Sequence, residues 1–400
     1  MNEKIKLTIF SQHFWPENFR INDLALQLKK LDVEVNVFTG KPNYPSGKIK
    51  KKFKSLKPIY GNYRGINVLR FPIIARSKAT FWKLIFNYIS YIFSVTFFSF
   101  FFKKNFGNIF FIYATSPIFQ AIPAIVIGKI FKIPTVLWVQ DLWPYVLKDT
   151  KTIENNFIIL IIKYFVNKIY DLSDLILCQS EAFYEDLKKK TNTKIKIFHN
   201  PSNYQFNFTK RNNNKKYYDI YYTGNLGLGQ DFNSILKIFN NQKILENNIR
   251  LKIFGSGKNF DDLKKKIKSN NYKNISINKS VNPEKLKIIL KSADCFFLKL
   301  NNGIGLSKTI PAKFQTYLSF GKPIISINKG IVSKFVNKYK IGLDCKSEKS
   351  SDLINVLLRA KNLSNNQLLV ISQNCKNLFF EKFEINNSCI KLKKYLKDLK

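Results

Sequence analysis

The sequence predicts an α/β protein of two doubly wound domains, each built on a largely parallel sheet. Apolar runs of strand length alternate with segments of helical spacing along almost the whole chain, which is typical of parallel sheets with right-handed crossovers. This alternation breaks at the polar residues 200–218, and 400 residues with 45% hydrophobic content are enough for two cores. We therefore expect domains over residues 1–200 and 219–375, a linker over 201–218 and a last helical segment over 376–400.

The first half of the chain opens with a βαβ pattern. A strand over residues 5–10 precedes an amphipathic helix over 20–31, and a second strand follows at 33–38. The Pro- and Gly-rich residues 40–47 form a loop, and the lysine-rich run 48–57 comes next. Further strands are predicted at 68–71, 108–113, 135–139, 175–178 and 195–198.

The second half contains a clear unit of strand, glycine loop, helix and strand over residues 293–327. Pro311 suits the first position of a helix over 312–320, Gly321 ends that helix, and the isoleucines after Pro323 indicate a buried strand. The tail from residue 350 onward is helical in pattern. Strands are predicted at 219–223, 250–254, 275–277, 293–300 and 323–327.

The chain is strongly basic, with 67 Lys and Arg against 26 Asp and Glu and a net charge of +41. Such a surface favours anionic partners, namely phosphates, nucleic acid or an anionic membrane. The lysines are dispersed and no recognised nucleic-acid motif occurs. A basic nucleic-acid-binding protein is therefore the weaker alternative, and we expect no nucleic-acid partner.

The cysteines and the N-terminus bear on the compartment. The five cysteines are scattered and form no C-x-x-C pair, which argues against a disulfide framework or a zinc site and for a reducing compartment. The N-terminal residues run directly into a strand and show no signal peptide. We therefore expect a cytoplasmic protein.

Residues 84–102 lack charged side chains and are rich in aromatic ones, so their length alone would allow a membrane span. Asn87, Ser90 and Ser94 recur at helical spacing, which favours a packed or interfacial helix over a true span. We therefore predict a helix that packs against the first domain with an aromatic face resting on the membrane.

Glycine-containing loops lie between strands and helices at three places in the second domain. Backbone N–H groups of such loops can approach phosphate oxygens, and the helix dipole favours the anion. No P-loop motif is present, so each loop could be an ordinary turn and each lysine a solvated charge. Together they predict a nucleotide-diphosphate site with the candidates Gly224, Asn225, Gly227, Gln230, Gly255, Gly257, Lys258, Gly305, Ser307 and Lys313.

Three side chains at the predicted carboxyl ends of strands in the first domain are candidates for chemistry. His13 and Glu17 follow the first strand, and Asp141 follows the strand over 135–139. The carboxyl ends of parallel strands share one edge of a sheet, where ligands of open α/β folds bind. Two alternatives remain open, because Glu17 could complement a helix dipole and Asp141 could be a turn or N-cap residue.

Six motifs resemble, in the same order, those of bacterial family 4 glycosyltransferases of GT-B fold. They read FSQHFWPENFRINDLALQL, FTGKPNYPSGKI, IYATSPIFQAIPAI, WVQDLWP, YTGNLGLGQ and IPAKFQTYLSFGKPI. More narrowly, they resemble the subgroup of O-antigen and capsule enzymes that includes L-fucosamine transferases. The resemblance spans nearly the whole chain.

This resemblance implies two Rossmann-like domains that face a central cleft, with the acceptor on the first domain and the donor mainly on the second. The last helix is expected to cross back to the first domain. The implied enzyme is a retaining transferase that uses no cofactor and no metal. It would move an N-acetylated deoxyhexose from a UDP-sugar to an undecaprenyl-diphosphate-linked glycan. On this basis the catalytic candidates are His13, Glu17 and Asp141, and the acceptor-binding candidates are Arg20, Asn43 and Tyr44.

The chain departs from the family pattern in two places. Many relatives carry a Glu-x7-Glu motif whose second Glu holds the ribose, and here Lys308 and Thr316 stand at those positions. Thr316 or Gln315 is the candidate substitute. Many relatives also have a His where this chain has Gln140 and Asp141. A GT-B-fold sugar-nucleotide epimerase, which needs no acceptor, is the alternative enzyme.

Overall fold

The computed structural model describes residues 4–78, 80–211, 214–227, 232–299, 303–327, 330–345, 347 and 349–399. The chain forms two compact units, of which the first comprises Met1–Pro144, Ile153–Asn203 and Ile385–Lys400. The second comprises Tyr145–Thr152 and Tyr204–Glu384. The limits of the two units differ from the predicted domain boundaries in two places. The short segment Tyr145–Thr152 belongs to the second unit, and so does most of the predicted linker.

The first unit is built on an eight-stranded sheet in the order β3-β4-β2-β1-β5-β6-β7-β8 among the residues described. All neighbours pair in parallel except β3, which pairs antiparallel with β4 at the sheet edge. The sequence did not indicate β3, whose side chains are at most half-buried. The strands are β1 (Lys6–Ser11), β2 (Glu34–Gly40), β3 (Ile59–Tyr63), β4 (Ile66–Phe71), β5 (Ile109–Ala114), β6 (Thr135–Val139), β7 (Leu175–Cys178) and β8 (Ile195–Ile197).

Helices of the first unit, numbered along the whole chain, are α1 (Arg20–Lys30), α2 (Phe81–Ser99), α3 (Ile122–Phe131), α5 (Asn156–Leu172), α6 (Glu181–Leu187) and α16 (Ile385–Lys397). The helix α1 buries Leu24 and Leu28 in a core that also contains Leu392 and Leu396 of α16. Gln27 Nε2 donates a hydrogen bond of 2.7 Å to Asn386 Oδ1 between the same two helices. The last helix of the chain is therefore part of the first unit.

The second unit contains a six-stranded parallel sheet in the order β11-β10-β9-β12-β13-β14 within the described residues. Its strands are β9 (Tyr218–Asn225), β10 (Ile249–Ser256), β11 (Ile275–Lys279), β12 (Cys295–Lys299), β13 (Ile324–Ile327) and β14 (Gly342–Asp344). Its helices are α4 (Tyr145–Asp149), α7 (Phe232–Phe239), α8 (Gln242–Glu246), α9 (Phe260–Ser269), α10 (Pro283–Lys291), α11 (Ile304–Lys308), α12 (Ala312–Leu318), α13 (Ile331–Tyr339), α14 (Ser350–Lys361) and α15 (Asn365–Lys382). The two sheets confirm the predicted class of two Rossmann-like α/β domains.

The unit around α12 differs from its prediction in detail. Pro311 has extended backbone angles and caps α12 rather than occupying its first position, and the helix ends at Leu318. Gly321 adopts a φ of +62°, and a Cβ there would lie 2.9 Å from the Phe206 ring atom Cζ. Phe206 belongs to the predicted linker, so this segment packs onto the second unit and a residue other than glycine would disturb that contact.

Candidate functional site

The carboxyl ends of β9 and β10 approach each other so closely that glycine is required. Gly224 and Gly255 are register partners, and a Cβ on Gly255 would lie 2.2 Å from the Gly224 carbonyl oxygen. Gly224 has a φ of +122° and Gly257 a φ of +145°, a region that residues with a Cβ rarely adopt. Gly224, Gly255 and Gly257 therefore have tightly defined backbones at this edge of the sheet.

Lys313, in the first turn of α12, lies at this edge. Its Nζ donates a hydrogen bond to the Tyr222 hydroxyl and lies 4.0 Å from the centroid of the same ring. A Cβ placed on Gly224 would lie 3.5 Å from Lys313 Cε. Among the described residues no carboxylate pairs with Lys313, and burial lowers its pKa from the usual 10.5 to about 7. A desolvated ammonium without a counter-charge beside a glycine loop is suited to bind an anion.

Tyr222 connects Lys313 to the glycine loop. Its hydroxyl donates to the Asn225 carbonyl oxygen at 2.8 Å, so it accepts the hydrogen bond from Lys313. Burial raises the pKa of Tyr222, which keeps the phenol protonated and able to donate. The Phe232 ring packs edge-on against the Tyr222 ring at 4.8 Å between centroids. The position of Lys313 is thus coupled to the backbone of the loop that follows β9.

The other lysine predicted at the donor site is placed differently. Lys258 is exposed after the β10 loop, so its charge is solvated. Asn225 is exposed at the end of β9, and Gly227 is half-buried with its carbonyl oxygen 3.5 Å from Asn259 Nδ2. Gln230 lies outside the described residues.

The candidates around α11 and α12 use their polar groups within the protein. Thr316 Oγ1 donates to the Ala312 carbonyl oxygen at 3.3 Å, and Ser307 Oγ donates to the Ile304 carbonyl oxygen at 3.2 Å. Gln315 is fully buried. Thr316 therefore lies in the second half of α12, with its hydroxyl occupied by its own helix.

Asp149, at the end of α4, is a residue of the second unit that the sequence reasoning missed. Its Oδ2 accepts hydrogen bonds from the N–H groups of Gly305 at 2.7 Å and Leu306 at 2.9 Å. A Cβ on Gly303 would lie 2.4 Å from the carboxyl carbon of Asp149. Lys308 stacks over the Tyr145 ring of the same short helix, 5.3 Å from its centroid. The segment Tyr145–Thr152 thus holds the start of α11, and glycine at position 303 makes room for the carboxylate.

In the first unit, His13 and Glu17 form a buried pair, with 2.7 Å between His13 Nδ1 and Glu17 Oε2. Glu17 Oε1 accepts the N–H groups of Asn43 at 2.6 Å and Tyr44 at 2.5 Å. The His13 ring stacks on Phe19 with centroids 4.8 Å apart. Glu17 therefore fixes the loop after β2 and the imidazole together, and it does not serve as a dipole partner within α1.

The predicted acceptor-binding residues fall into two groups. Asn43 is buried, and its Oδ1 accepts from Arg76 N at 3.2 Å. The Tyr44 ring is 44% exposed, 5.8 Å from the His13 ring and beneath the Arg76 guanidinium. Tyr44 is therefore the member of this pair whose side chain is accessible to a ligand.

Arg20 is placed inside the first unit. Its Nη1 donates to the Pro201 carbonyl oxygen at 2.5 Å, and desolvation by burial lowers its pKa. Tyr113, near the end of β5, interacts electrostatically with both Arg20 and Asp141. Arg20 thus ties the chain after β8 to the start of α1.

Asp141 lies just past the end of β6. Its Oδ2 accepts from Ser116 Oγ at 2.8 Å, and Ser116 Oγ accepts in turn from Trp143 Nε1 at 3.2 Å. Burial raises the pKa of Asp141, and the hydrogen bond from Ser116 opposes that shift. The carboxyl ends of β1, β5 and β6 are neighbours in the sheet, so His13, Ser116 and Asp141 share one edge.

Within the described residues, no group of three or more His, Cys, Asp and Glu side chains could hold a metal ion.

Solved structures share this fold over the whole chain. Sucrose-phosphate synthase from Thermosynechococcus elongatus is 11% identical with a TM-score of 0.75, covering 99% of both chains. Anabaena Alr3699/HepE, solved with UDP and glucose, is 10% identical with a TM-score of 0.69, covering 98% of this chain and 100% of that one. A trehalose-6-phosphate enzyme from E. coli, bound with UDP-2-fluoro glucose, is 11% identical with a TM-score of 0.67, covering 98% and 99%. The fold is therefore that of the GT-B enzymes.

The second unit contains the part of the chain that is similar to a known family. Residues 203–376 match the family model described as Glycosyl transferases group 1. No curated protein matches the chain significantly by sequence. Over those residues the chain is similar to group 1 glycosyltransferases, and its two Rossmann-like sheets have the GT-B fold.

Proposed function

We propose that this enzyme transfers an N-acetylated deoxyhexose from a UDP-sugar to a lipid-diphosphate-linked glycan in the synthesis of a bacterial O-antigen or capsule. The buried ammonium of Lys313 beside the glycine at position 224 carries the donor half of this proposal. In its protonated form it supplies one positive charge between the start of α12 and the end of β9. The leaving diphosphate of a nucleotide-sugar is the anion that such a site would stabilise.

The proposed reaction breaks the bond between the anomeric carbon and the diphosphate oxygen. The acceptor hydroxyl attacks from the face that the diphosphate leaves, through an oxocarbenium-like transition state. A departing phosphate oxygen takes the hydroxyl proton, so no protein base is required. Lys313 and backbone N–H groups of the glycine loops stabilise the growing negative charge.

The first unit supplies the residues proposed to face the sugar and the acceptor. Asp141 would stabilise positive charge on the sugar ring, with Ser116 holding its carboxylate. The exposed Tyr44 ring and the imidazole of His13 would bind the acceptor, and Glu17 would position both. Arg20 serves as a positioning residue, because its guanidinium is engaged with Pro201.

The aromatic helix α2 of the first unit supports the proposal that the protein attaches peripherally to the membrane. The described helix Phe81–Asn105 is long and apolar enough to cross a membrane by length and composition. Its buried face contains the polar Asn87 and Ser99 beside Tyr91 and Val95, while Phe93 and Phe97 on the opposite face are 71% and 61% exposed. Exposed aromatic side chains of this density indicate an interaction surface rather than a solvated face.

A second helix of the first unit extends this surface. The helix α3 packs against both α2 and α5. On α5, Phe157, Leu160 and Tyr164 are at least 60% exposed. The sequence reasoning did not single out this helix. We propose that α2 and α5 rest together on the anionic inner face of the cell membrane.

Ligand-dependent thermal stability tests the donor assignment. UDP should raise the melting temperature by mass action, and Lys313→Met should abolish that shift while Lys258→Met retains it. A shift with GDP or ADP alone would move the enzyme to another donor. Conversion of a UDP-sugar without any acceptor would favour the epimerase alternative.

A flotation experiment tests the membrane assignment. Vesicles rich in phosphatidylglycerol should retain the protein, and the variants Phe93→Ser and Phe157→Ser should each weaken retention. Equal recovery of all three proteins in the soluble fraction would refute the membrane surface.

A further inference from the structure

The first unit contains an apolar groove of about 630 Å³ between α2 and the lysine-rich run 48–57. Its lining is mainly apolar and includes Phe53, Leu56, Ile73, Ile74 and Phe93. Leu56 is 90% exposed and Phe93 71% exposed, although both border the groove. This volume is within the range of pockets that bind small molecules.

Polar contacts fix the walls of the groove, so it is a built feature rather than a gap between mobile side chains. Ser90 Oγ on α2 accepts from Ile74 N at 2.9 Å, and Asn87 Nδ2 donates to the Ile74 carbonyl oxygen. On the other side, the buried Lys41 Nζ donates to the carbonyl oxygens of Ser55 and Lys57. Lys41 thereby holds the lysine-rich loop against the end of β2.

Lys54 stands among the lining residues, and the loop that carries it forms a lysine-rich rim, while the rest of the lining is mainly apolar. The side chains of Lys50, Lys51, Lys52, Lys54 and Lys57 are all exposed on the loop. A ligand that fits both features has an apolar chain attached to a phosphate or diphosphate. A soluble sugar nucleotide would leave the apolar lining unused.

The groove adjoins the residues assigned to the acceptor. Lys41 lines the groove. The N–H groups of Asn43 and Tyr44, two and three residues further along the chain, donate hydrogen bonds to Glu17. A Cβ on Gly40 would lie 3.0 Å from the side chain of Ile73, which lines the groove, and 3.1 Å from the Gln12 carbonyl oxygen, so the end of β2 packs closely against both.

We infer that this groove binds the first isoprenoid units of the acceptor's lipid chain, with the diphosphate held by the lysine rim. This inference rests on the proposed function, because it assigns the lipid part of that acceptor. The exposed face of α2 then lies on the bilayer surface. The isoprenoid chain of the acceptor passes from the membrane into the groove beside α2.

The test uses farnesyl diphosphate, inorganic diphosphate and phosphatidylglycerol vesicles as separate probes of the full-length protein, with binding measured by calorimetry. Farnesyl diphosphate should bind at least tenfold more tightly than inorganic diphosphate. The double variant Leu56→Ser, Ile74→Ser should lose about tenfold in farnesyl diphosphate affinity and keep the UDP-induced melting shift. The matched control Phe97→Ser changes α2 outside the groove, so it should weaken vesicle binding and keep farnesyl diphosphate affinity.

Equal affinities for the two diphosphates would overturn the groove assignment. Equal loss of farnesyl diphosphate binding in the double variant and in the control would also overturn it, by showing a general lipid contact. In either case an intact melting shift with UDP would leave the donor assignment standing, whereas loss of that shift in the unmodified protein would refute the proposed function itself.

Discussion

Proton uptake on UDP binding is the sharpest test of the donor site, because Lys313 combines burial with the absence of an acidic partner among the described residues. Its pKa of about 7 means that most unliganded molecules carry a neutral amine at pH 8. A diphosphate beside the amine would favour the charged form and raise the pKa again. Binding should therefore take up a proton at any pH between about 7 and the usual lysine value of 10.5.

The size of the effect follows from the protonated fraction of Lys313. With a pKa of about 7, that fraction falls from about one quarter at pH 7.5 to about 3% at pH 8.5. UDP affinity should therefore fall about eightfold over this one pH unit. The terminal phosphate of UDP loses its last proton near pH 6, so its own charge is constant in this window.

The assay is calorimetric titration of UDP in two buffers of different ionisation enthalpy, at pH 7.5 and pH 8.5. The heat difference gives the number of protons taken up, expected near 0.8 at pH 7.5 and about one at pH 8.5. Lys313→Arg, which stays charged, should show no uptake, and Lys258→Arg should behave as the unmodified protein. Affinity that does not change with pH, without proton uptake, would refute the assignment of Lys313 to the diphosphate.

Four further outcomes follow from individual contacts. Without ligand, the unfolded chain binds the Lys313 proton more tightly than the folded one, so the free energy of unfolding should rise as the pH increases from 7 toward 10.5, and Lys313→Met should remove that rise in denaturant titrations. Glu17→Gln should lower the free energy of unfolding by about 3 kcal/mol, because two N–H groups and His13 lose a buried carboxylate; the exposed pair of Glu34 with Lys6 is the control, and Glu34→Gln should cost less than about 1 kcal/mol. Asp149→Ala should cost about 2 kcal/mol in the same titration by leaving the N–H groups at the start of α11 without their acceptor, and an unchanged midpoint would contradict the role of that contact. Gly224→Ala should cost about 1–3 kcal/mol through its φ of +122°, since the added Cβ itself would have room, and a stability equal to that of the unmodified protein would show that this φ carries no strain.

Much of the fold is local in origin and was predictable. Strand-length apolar runs, such as β6 and β7, were predicted to the residue because burial on both faces of a parallel sheet leaves a continuous apolar signal. The edge strands Ile59–Tyr63 and Gly342–Asp344 were missed, since their side chains are only partly buried and leave no continuous apolar signal.

The location of the candidate site at the carboxyl ends of strands was predictable from the sequence, but not all of its residues were. His13, Glu17 and Asp141 were selected because they follow strands, and the sheet order does place β1, β5 and β6 side by side. Asp149 gave no signal, because its partners Gly305 and Leu306 are more than 150 positions further along the chain. Contacts of that sequence separation are created by the tertiary fold alone.

The sequence by itself determined the class of the protein, because the spacing of apolar residues, the glycine loops and the excess of lysine are local properties of the chain. The tertiary structure decided which of those lysines are desolvated. Lys258 and Lys313 both stand beside glycine loops, yet only Lys313 is packed against Tyr222 and Gly224 and desolvated. Desolvation depends on everything that surrounds a group in space, and residues far apart in the sequence supply those surroundings.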